Sequence, residues 1–331
     1  MSGAIVENPK RNIVIYFSAG AMSGVFSSGF SKTLEDAGLK PFIHSVYGNS
    51  CGSLTGLYFL SGQVERAAAL YWEDLDADKY IRWGRLPRYI VSAFCNRIFR
   101  TTFRLHPVFD IDMVAKILTS KRKVDFSAVR NSGIDLYMIA YNLKTSHHDY
   151  LKLEKEEDVI PYLRATAGGH PAYPHSSLIH GNLYVDGGTI DDERRIARII
   201  ERHPDKEIIC VLNNPKWNGG KIRNFLSKVG IATVMLPFFG VREAWKTAKS
   251  DFSNVDTMRM QESHPYLHFV ANDLSGYQLS TNPSIHKILY KRGRELGKEF
   301  LLSGQLKNVV YSVALDGSPH LVAPTSPPVL V

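Results

Sequence analysis

Apolar residues along this chain gather in short β-type runs that alternate with stretches of helical spacing. Asn12 to Phe17 (NIVIYF) is the first run; it ends in the small-residue turn Ser18-Ala19-Gly20-Ala21, and Gly24 to Ala37 then carries helical periodicity. The unit repeats at once: Phe42 to Tyr47 is apolar and β-prone, Gly48 to Gly52 is a turn, and Leu54 to Leu60 continues as a helix to a Ser61-Gly62 stop. Two strand-turn-helix units in tandem imply a parallel sheet. The pattern therefore predicts an α/β fold, with three layers (α/β/α) around a central, mostly parallel sheet.

Further along, helical spacing predicts helices over Val64 to Leu75, Pro87 to Arg104 and Asp110 to Thr119, and β-type runs follow at Ile134 to Tyr141 and Tyr150 to Leu153. Glu156 to Ala167 reads as a helix interrupted near Pro161. Strands at Leu183 to Val185 and Glu207 to Leu212 flank a helix at Asp191 to His203; a strand at Leu267 to Ala271 and a helix at Ser284 to Leu302 close the series. No linker or low-complexity block divides the chain, so one domain over residues 10–310 is expected, with the Pro-rich residues 311–331 as a loose tail.

Composition adds bounds rather than identity. The 331 residues are 44% hydrophobic and 22% charged, ordinary usage for a globular protein. A net charge of +8 favours anionic partners but is thin for a dedicated nucleic-acid binder of this size, so no nucleic-acid partner is expected. Three widely spaced cysteines, Cys51, Cys95 and Cys210, offer neither a disulfide framework nor a CxxC metal site, which points to a reduced, cytoplasmic setting. The apolar run Ile13 to Phe17 is too short for a signal-peptide core, and the longest apolar candidate, Val229 to Gly240, contains Pro237 and falls short of the roughly 20 residues of a membrane span. Membrane contact, if any, is expected to be peripheral.

The chemistry concentrates in three turns. Gly48-Asn49-Ser50-Cys51-Gly52 matches GxSxG, in which a tight strand-to-helix turn projects a serine above the sheet edge, and here a β-type run enters it and a helical run leaves it. A serine hydroxyl needs a base. Val185-Asp186-Gly187-Gly188 supplies a carboxylate at the end of a short strand, though the same tripeptide also suits an ordinary Asp-Gly hairpin turn. Ser18 to Gly24 is a run of small residues at a helix start, where backbone N–H groups bind an anion. It lacks the GxGxxG glycines and a Walker lysine, so an oxyanion hole suits it better than a nucleotide phosphate site.

In this order the three turns resemble the patatin-like phospholipases, particularly their bacterial branch. The corresponding residues are Ala19-Gly20-Ala21-Met22-Ser23-Gly24, Gly48-Asn49-Ser50-Cys51-Gly52 and Asp186-Gly187-Gly188, and Leu163-Arg164-Ala165-Thr166-Ala167 also looks familial. The resemblance implies a Ser-Asp dyad: Ser50 attacks an acyl ester of a phospholipid or similar lipid, Asp186 is the base, the amides of Ala19, Gly20 and Ala21 hold the oxyanion, and neither metal nor other cofactor takes part. A useful base at neutral pH then requires that Asp186 be partly desolvated. The chain departs from the family pattern with Ala19, Ala21 and Ser23 where the family loop has more glycine and a basic residue. That departure keeps open a second expectation, a catalytically weak or inactive lipid-binding or regulatory protein of the same fold.

Two other constellations compete. A Ser-His-Asp triad would draw on His170, His175 or His180, or in the common chain order on His264, His268 or His286; a metal site would draw on His147, His148 and Asp149, or on the His170 to His180 group, without the i, i+4 spacing of HExxH. Between Lys79 and Phe109 there is no acidic residue, while Lys79, Arg82, Arg85, Arg88, Arg97, Arg100 and Arg104 alternate with aromatics. In helical projection Arg88, Ser92, Asn96, Arg100 and Arg104 share one face, and Ile90, Val91, Phe94, Ile98 and Leu105 the other. Two fates suit such a helix: packing its apolar face on the core, or lying in an anionic lipid surface.

Overall fold

The computed structural model describes residues 11–75, 80–103, 105–169, 173, 175–188, 194–213, 260–261, 264–274, 279–306, 310–313 and 319–322. The predicted first unit forms β1 (Ile13–Phe17) and α1 (Gly24–Asp36), and the second forms β2 (Ile43–Asn49) and α2 (Cys51–Leu60). All five residues of β1 are buried, as expected of a continuous apolar run in a parallel sheet covered on both faces. Then come β3 (Asp135–Asn142), β4 (His147–Lys152), β5 (Ser177–Ile179), β6 (Asn182–Asp186), β7 (Glu207–Leu212) and β8 (Leu267–Ala271). They join one eight-stranded sheet in the order β5-β6-β3-β2-β1-β7-β8, with β4 also on β3. Pairs β1–β2, β2–β3, β1–β7 and β7–β8 are parallel; β3–β4, β3–β6 and β5–β6 are antiparallel.

The remaining helices are α3 (Val64–Ala69), α4 (Leu86–Phe99), α5 (Ile111–Thr119), α6 (Phe126–Asn131), α7 (Val159–Ala167), α8 (Arg194–Arg202) and α9 (Pro283–Leu302). Strand alternation sorts the core into two. Ile13, Ile15 and Phe17 pack with α1, α2, α7 and α9 on one face, while Val14 and Tyr16 pack with Ile196 and Ile199 of α8 on the other. The three-layer arrangement follows from that division. Among the described residues no helix is long and apolar enough to cross a membrane.

Differences from expectation are local and have local causes. The helix beginning at Val64 stops as an α-helix at Ala69, and Leu70–Asp74 winds on as a π-turn. Pro161 does not interrupt α7: it lies in the first turn, where its missing N–H has no intrahelical partner to lose. β5 and α6 escape a periodicity reading because each is shorter than two apolar repeats. α4 ends at Phe99, with Arg100 in the left-handed region at φ 52°. Its orientation differs from the expected one: Tyr89 and Ala93 are buried and Leu86 and Leu105 pack against the core, while Val91, Phe94 and Ile98 face solvent. Across the boundary expected between the domain and a loose tail, β9 (Val310–Val313) pairs antiparallel with β10 (Pro319–Val322). Lys79, Arg104, His170, Thr189 to Asp192 and Val229 to Gly240 lie outside the described residues, as does the Arg97 side chain.

Candidate active site

Ser50 occupies the bend between β2 and α2 with φ 53° and ψ −121°, a conformation that non-glycine residues avoid and that strained nucleophile turns adopt. Surrounding packing holds it there. A side chain on Gly52 would place Cβ 2.2 Å from the Phe17 carbonyl oxygen, so only glycine lets α2 leave the bend this close to β1. Thr166 of α7 clamps the bend from the other side. Its Oγ1 accepts from the Ser50 N–H at 3.0 Å and donates to the Ile139 carbonyl at 2.6 Å, tying the serine to β3.

The position of Asp186 follows from sheet register. β2 pairs with β3 as far as Asn49 opposite Ile139, and β6 pairs with β3 from Asp186 opposite Ala140. The far edge of β3 is taken by β4 over residues 137–142, so β2 and β6 share the near edge and meet end to end. Ser50 and Asp186 are the residues at that junction. The Ser50 hydroxyl is near enough to the Asp186 carboxyl to favour its charged form, and both residues are buried.

Desolvation raises the Asp186 carboxyl from its usual acidity to about 7. Opposing it, in decreasing order, are the Gly188 N–H, which donates to Oδ1 at 2.6 Å, the Ser50 hydroxyl and the charge of Arg195. The turn behind Asp186 is fixed through the Gly187 carbonyl, which accepts from His148 Nε2 at 2.8 Å and Arg195 Nη1 at 3.0 Å. Gly188 meets the small-residue loop so closely that a Cβ there would lie 2.6 Å from Cβ of Ala19. Thus the carboxylate turn and the loop are in contact.

The loop itself turns from β1 into a single 3-10 turn, Ala21–Ser23, ahead of α1. Ala21 takes φ 48°, the left-handed region that alanine disfavours. The Ser23 N–H donates to the Gly20 carbonyl at 2.9 Å, and among the described residues the Ala19 and Ala21 N–H groups have no backbone acceptor. Asn213, just after β7, staples the loop: Nδ2 donates to the Ser18 carbonyl at 2.6 Å, and Oδ1 accepts from the Ser27 N–H of α1 at 3.2 Å. Ala21 and Ser50 border a common apolar cavity with Leu54, Tyr80 and Leu163; its interior is about 20 Å³, room for about one water. All three predicted turns therefore converge, and Gly24, Gly48 and Gly187 stand in the backbone that frames them.

Four of the rival bases have side-chain partners away from Ser50. His268 Nε2 is 3.7 Å from buried Glu207, His286 Nε2 is 2.7 Å from the Ser280 carbonyl, and His180 is 3.3 Å from the Tyr162 hydroxyl. His175 meets the ring of Tyr173. The trio His147, His148 and Asp149 is split by strand alternation: His148 is buried under Gly187, whereas His147 bonds the Thr145 carbonyl at the surface. Among the described residues no group of three or more His, Cys, Asp or Glu converges on a metal position. Arg195 and Asn213 were not legible as site residues; Thr166 stood in the Leu163 to Ala167 stretch that looked familial and His148 in a metal trio, and neither pattern disclosed these contacts.

The sequence pattern of the family described as patatin-like phospholipase matches residues 15–193, more than half of the chain. No curated protein matches the sequence. Among solved structures, VipD from Legionella pneumophila aligns with TM-score 0.44 and 12% identity over 88% of this chain and 67% of that one. The type III effector protein ExoU aligns with TM-score 0.36 and 11% identity over 91% of this chain and 55% of that one, so the chain spans about half the length of the second. With the matched residues running from β1 through the Gly48 to Gly52 bend to the Asp-Gly-Gly turn, the chain belongs to the patatin-like phospholipase family.

Proposed function

We propose that the protein is a serine lipid acyl hydrolase of the phospholipase A type that works through a Ser50-Asp186 dyad. The observation that carries this reading is the end-to-end meeting of β2 and β6 on β3, which supports a hydroxyl and a desolvated carboxylate acting as one unit beside loop amides. Asp186 accepts the Ser50 proton as Oγ bonds to the ester carbonyl carbon. The oxyanion so formed is held by N–H groups of Ala19, Gly20 and Ala21. The C–O bond to the leaving alcohol breaks as Asp186 returns the proton to it. Water then attacks the acyl-serine, again losing its proton to Asp186, which passes it to Ser50 Oγ as the fatty acid departs. The unit proposed to carry this chemistry is one domain over residues 10–310, with residues 311–331 appended.

Ala21 favours a second reading. Its left-handed backbone at a position where glycine would be unstrained is consistent with a hole that binds the oxyanion poorly, in a protein that retains lipid binding. Hydrolysis of a lipid panel by wild type, Ser50→Ala and Asp186→Asn, with fluorophosphonate labelling of Ser50, separates the two. The dyad predicts labelling, loss of turnover in Ser50→Ala, and a fall of about 100-fold or more in Asp186→Asn. Wild-type kcat/KM should rise through pH about 7, where Asp186 ionises, and the variant should lose that rise. An unlabelled Ser50 with intact lipid binding supports the second reading; wild-type turnover in Asp186→Asn removes the dyad.

A further inference from the structure

α4 stands in the fold with its apolar side outward. Opposite the buried Tyr89 and Ala93, Val91, Phe94 and Ile98 are 62%, 50% and 52% exposed, and the chain beyond extends the ridge with Phe99 and Phe103 at 69% and 56%. This extension is built, not loose. Asn96 Oδ1 accepts from the Phe103 N–H and the Thr101 hydroxyl, and its amide donates to the Phe103 carbonyl, each at 2.8 Å. A helix stabilised only by the core would turn polar residues to water here, so a ridge of five large apolar side chains marks a surface with an occupant.

Charge identifies the occupant's chemistry. Residues 79–109 contain no acidic side chain. On the flank of α4, Arg85, Arg88, Ser92 and His106 line an open recess of about 210 Å³ above Tyr89. Guanidinium groups beside a hydroxyl suit a phosphate, which takes bidentate hydrogen bonds from arginine. Aromatic and aliphatic residues at the crest with arginines on the flank form the pattern of a helix lying in a lipid interface. The ends of this excursion are pinned together at the catalytic cavity. Ile81 and Phe109 form an antiparallel bridge, the Arg82 N–H donates to the Val108 carbonyl at 2.9 Å, and Tyr80 stacks on Phe109 at 5.8 Å. Tyr80 borders the cavity beside Ser50, and Phe109 packs with the Asp186 carboxylate around Gly169.

We propose that α4 and residues 100–103 dock on an anionic phospholipid bilayer, the ridge entering the acyl region and the Arg85-Arg88 recess holding a headgroup phosphate. This deepens the lipid-hydrolase reading, placing the catalytic mouth against its substrate, and rests on that reading only for its purpose. Docking is therefore measured on full-length Ser50→Ala protein, so that it succeeds or fails independently of hydrolysis. Co-sedimentation is compared on vesicles of phosphatidylcholine alone and of phosphatidylcholine with phosphatidylglycerol, at low and high salt. The expected result is binding to the anionic vesicles that weakens with salt. Phe94→Ser with Ile98→Ser should weaken it about tenfold or more. Arg85→Ala with Arg88→Ala should lower the anionic preference about fivefold per residue. Phe99→Trp should show a blue-shifted emission, relative to the parent protein, on those vesicles. Because the altered ridge residues face solvent, their variants should keep the parent's thermal midpoint. Equal binding to both vesicle types, wild-type binding by the ridge variant, or a ridge that instead holds two copies of the chain together in solution would overturn the proposal.

Discussion

At the scale of single residues, the site turns on one buried carboxyl. Asp186 is both the general base of the proposed reaction and a stability liability. Its proton is held more tightly in the folded chain, at about 7, than in the unfolded chain, near 3.8. Below the unfolded value both states carry the proton and its contribution to stability is complete; as pH rises through about 7 that contribution is lost. Asp186→Asn, neutral throughout, should therefore be more stable than wild type at pH above about 7, by on the order of 4 kcal/mol, and the advantage should shrink to nothing toward pH about 4. Urea unfolding of both proteins across that range checks it. A variant with no advantage on the alkaline side would mean that the carboxyl is solvated. The same residue that speeds the reaction thus destabilises the fold under the conditions in which it works, as expected where a group is positioned for chemistry.

Between elements, the small-residue loop is held by a strand far from it in sequence. Asn213 follows β7, pairs with the Ser18 carbonyl and the Ser27 N–H, and so joins β1, the loop and α1. Asn213→Ala should cost about 1–3 kcal/mol by leaving buried backbone groups unpaired. It should lower kcat about tenfold with KM little changed, because the hole is needed for the oxyanion rather than for the ground state. Asn213→Asp keeps the acceptor for Ser27 but loses the donor to Ser18, so steady-state kinetics of the two variants show which bond matters; unchanged kcat in both would free the loop from β7. Such links explain what could be read in advance. Gly48 to Gly52 and Asp186 to Gly188 were legible because a tight turn writes its needs into five consecutive residues or fewer. That β6 takes over the edge of β3 where β2 ends was not, because register is a pairing between segments about 140 residues apart. α4 divides the same way: spacing disclosed a helix with an apolar stripe, but which stripe faces water depends on the neighbours that Tyr89 and Ala93 meet.

At the scale of the molecule, the matched residues 15–193 are not the whole folding unit. β1 lies between β2 and β7, so the strand that leads into the loop is completed on one edge by residues beyond the match. α9, also beyond it, lies along α1, and the two helices approach through reciprocal glycines. A Cβ on Gly29 would be 2.0 Å from the Tyr290 carbonyl oxygen, and one on Gly293 would be 2.1 Å from the Phe26 carbonyl oxygen. Neither obstacle is a flexible side chain tip, so Gly29→Ala or Gly293→Ala has to push the helices apart, exposing shared contacts such as Phe30 on Phe300. Each substitution should cost about 2 kcal/mol, the overpacking penalty less the roughly 1 kcal/mol that alanine gains within a helix. Once one alanine has separated the helices, the second finds room already made. The double variant should therefore fall short of the sum by about 1 kcal/mol, a coupling expected only of residues in one contact. Urea midpoints of the four proteins measure it. Strict additivity would mean that the two glycines act on separate contacts and that α1, which carries the loop into the site, does not depend on α9 for its position.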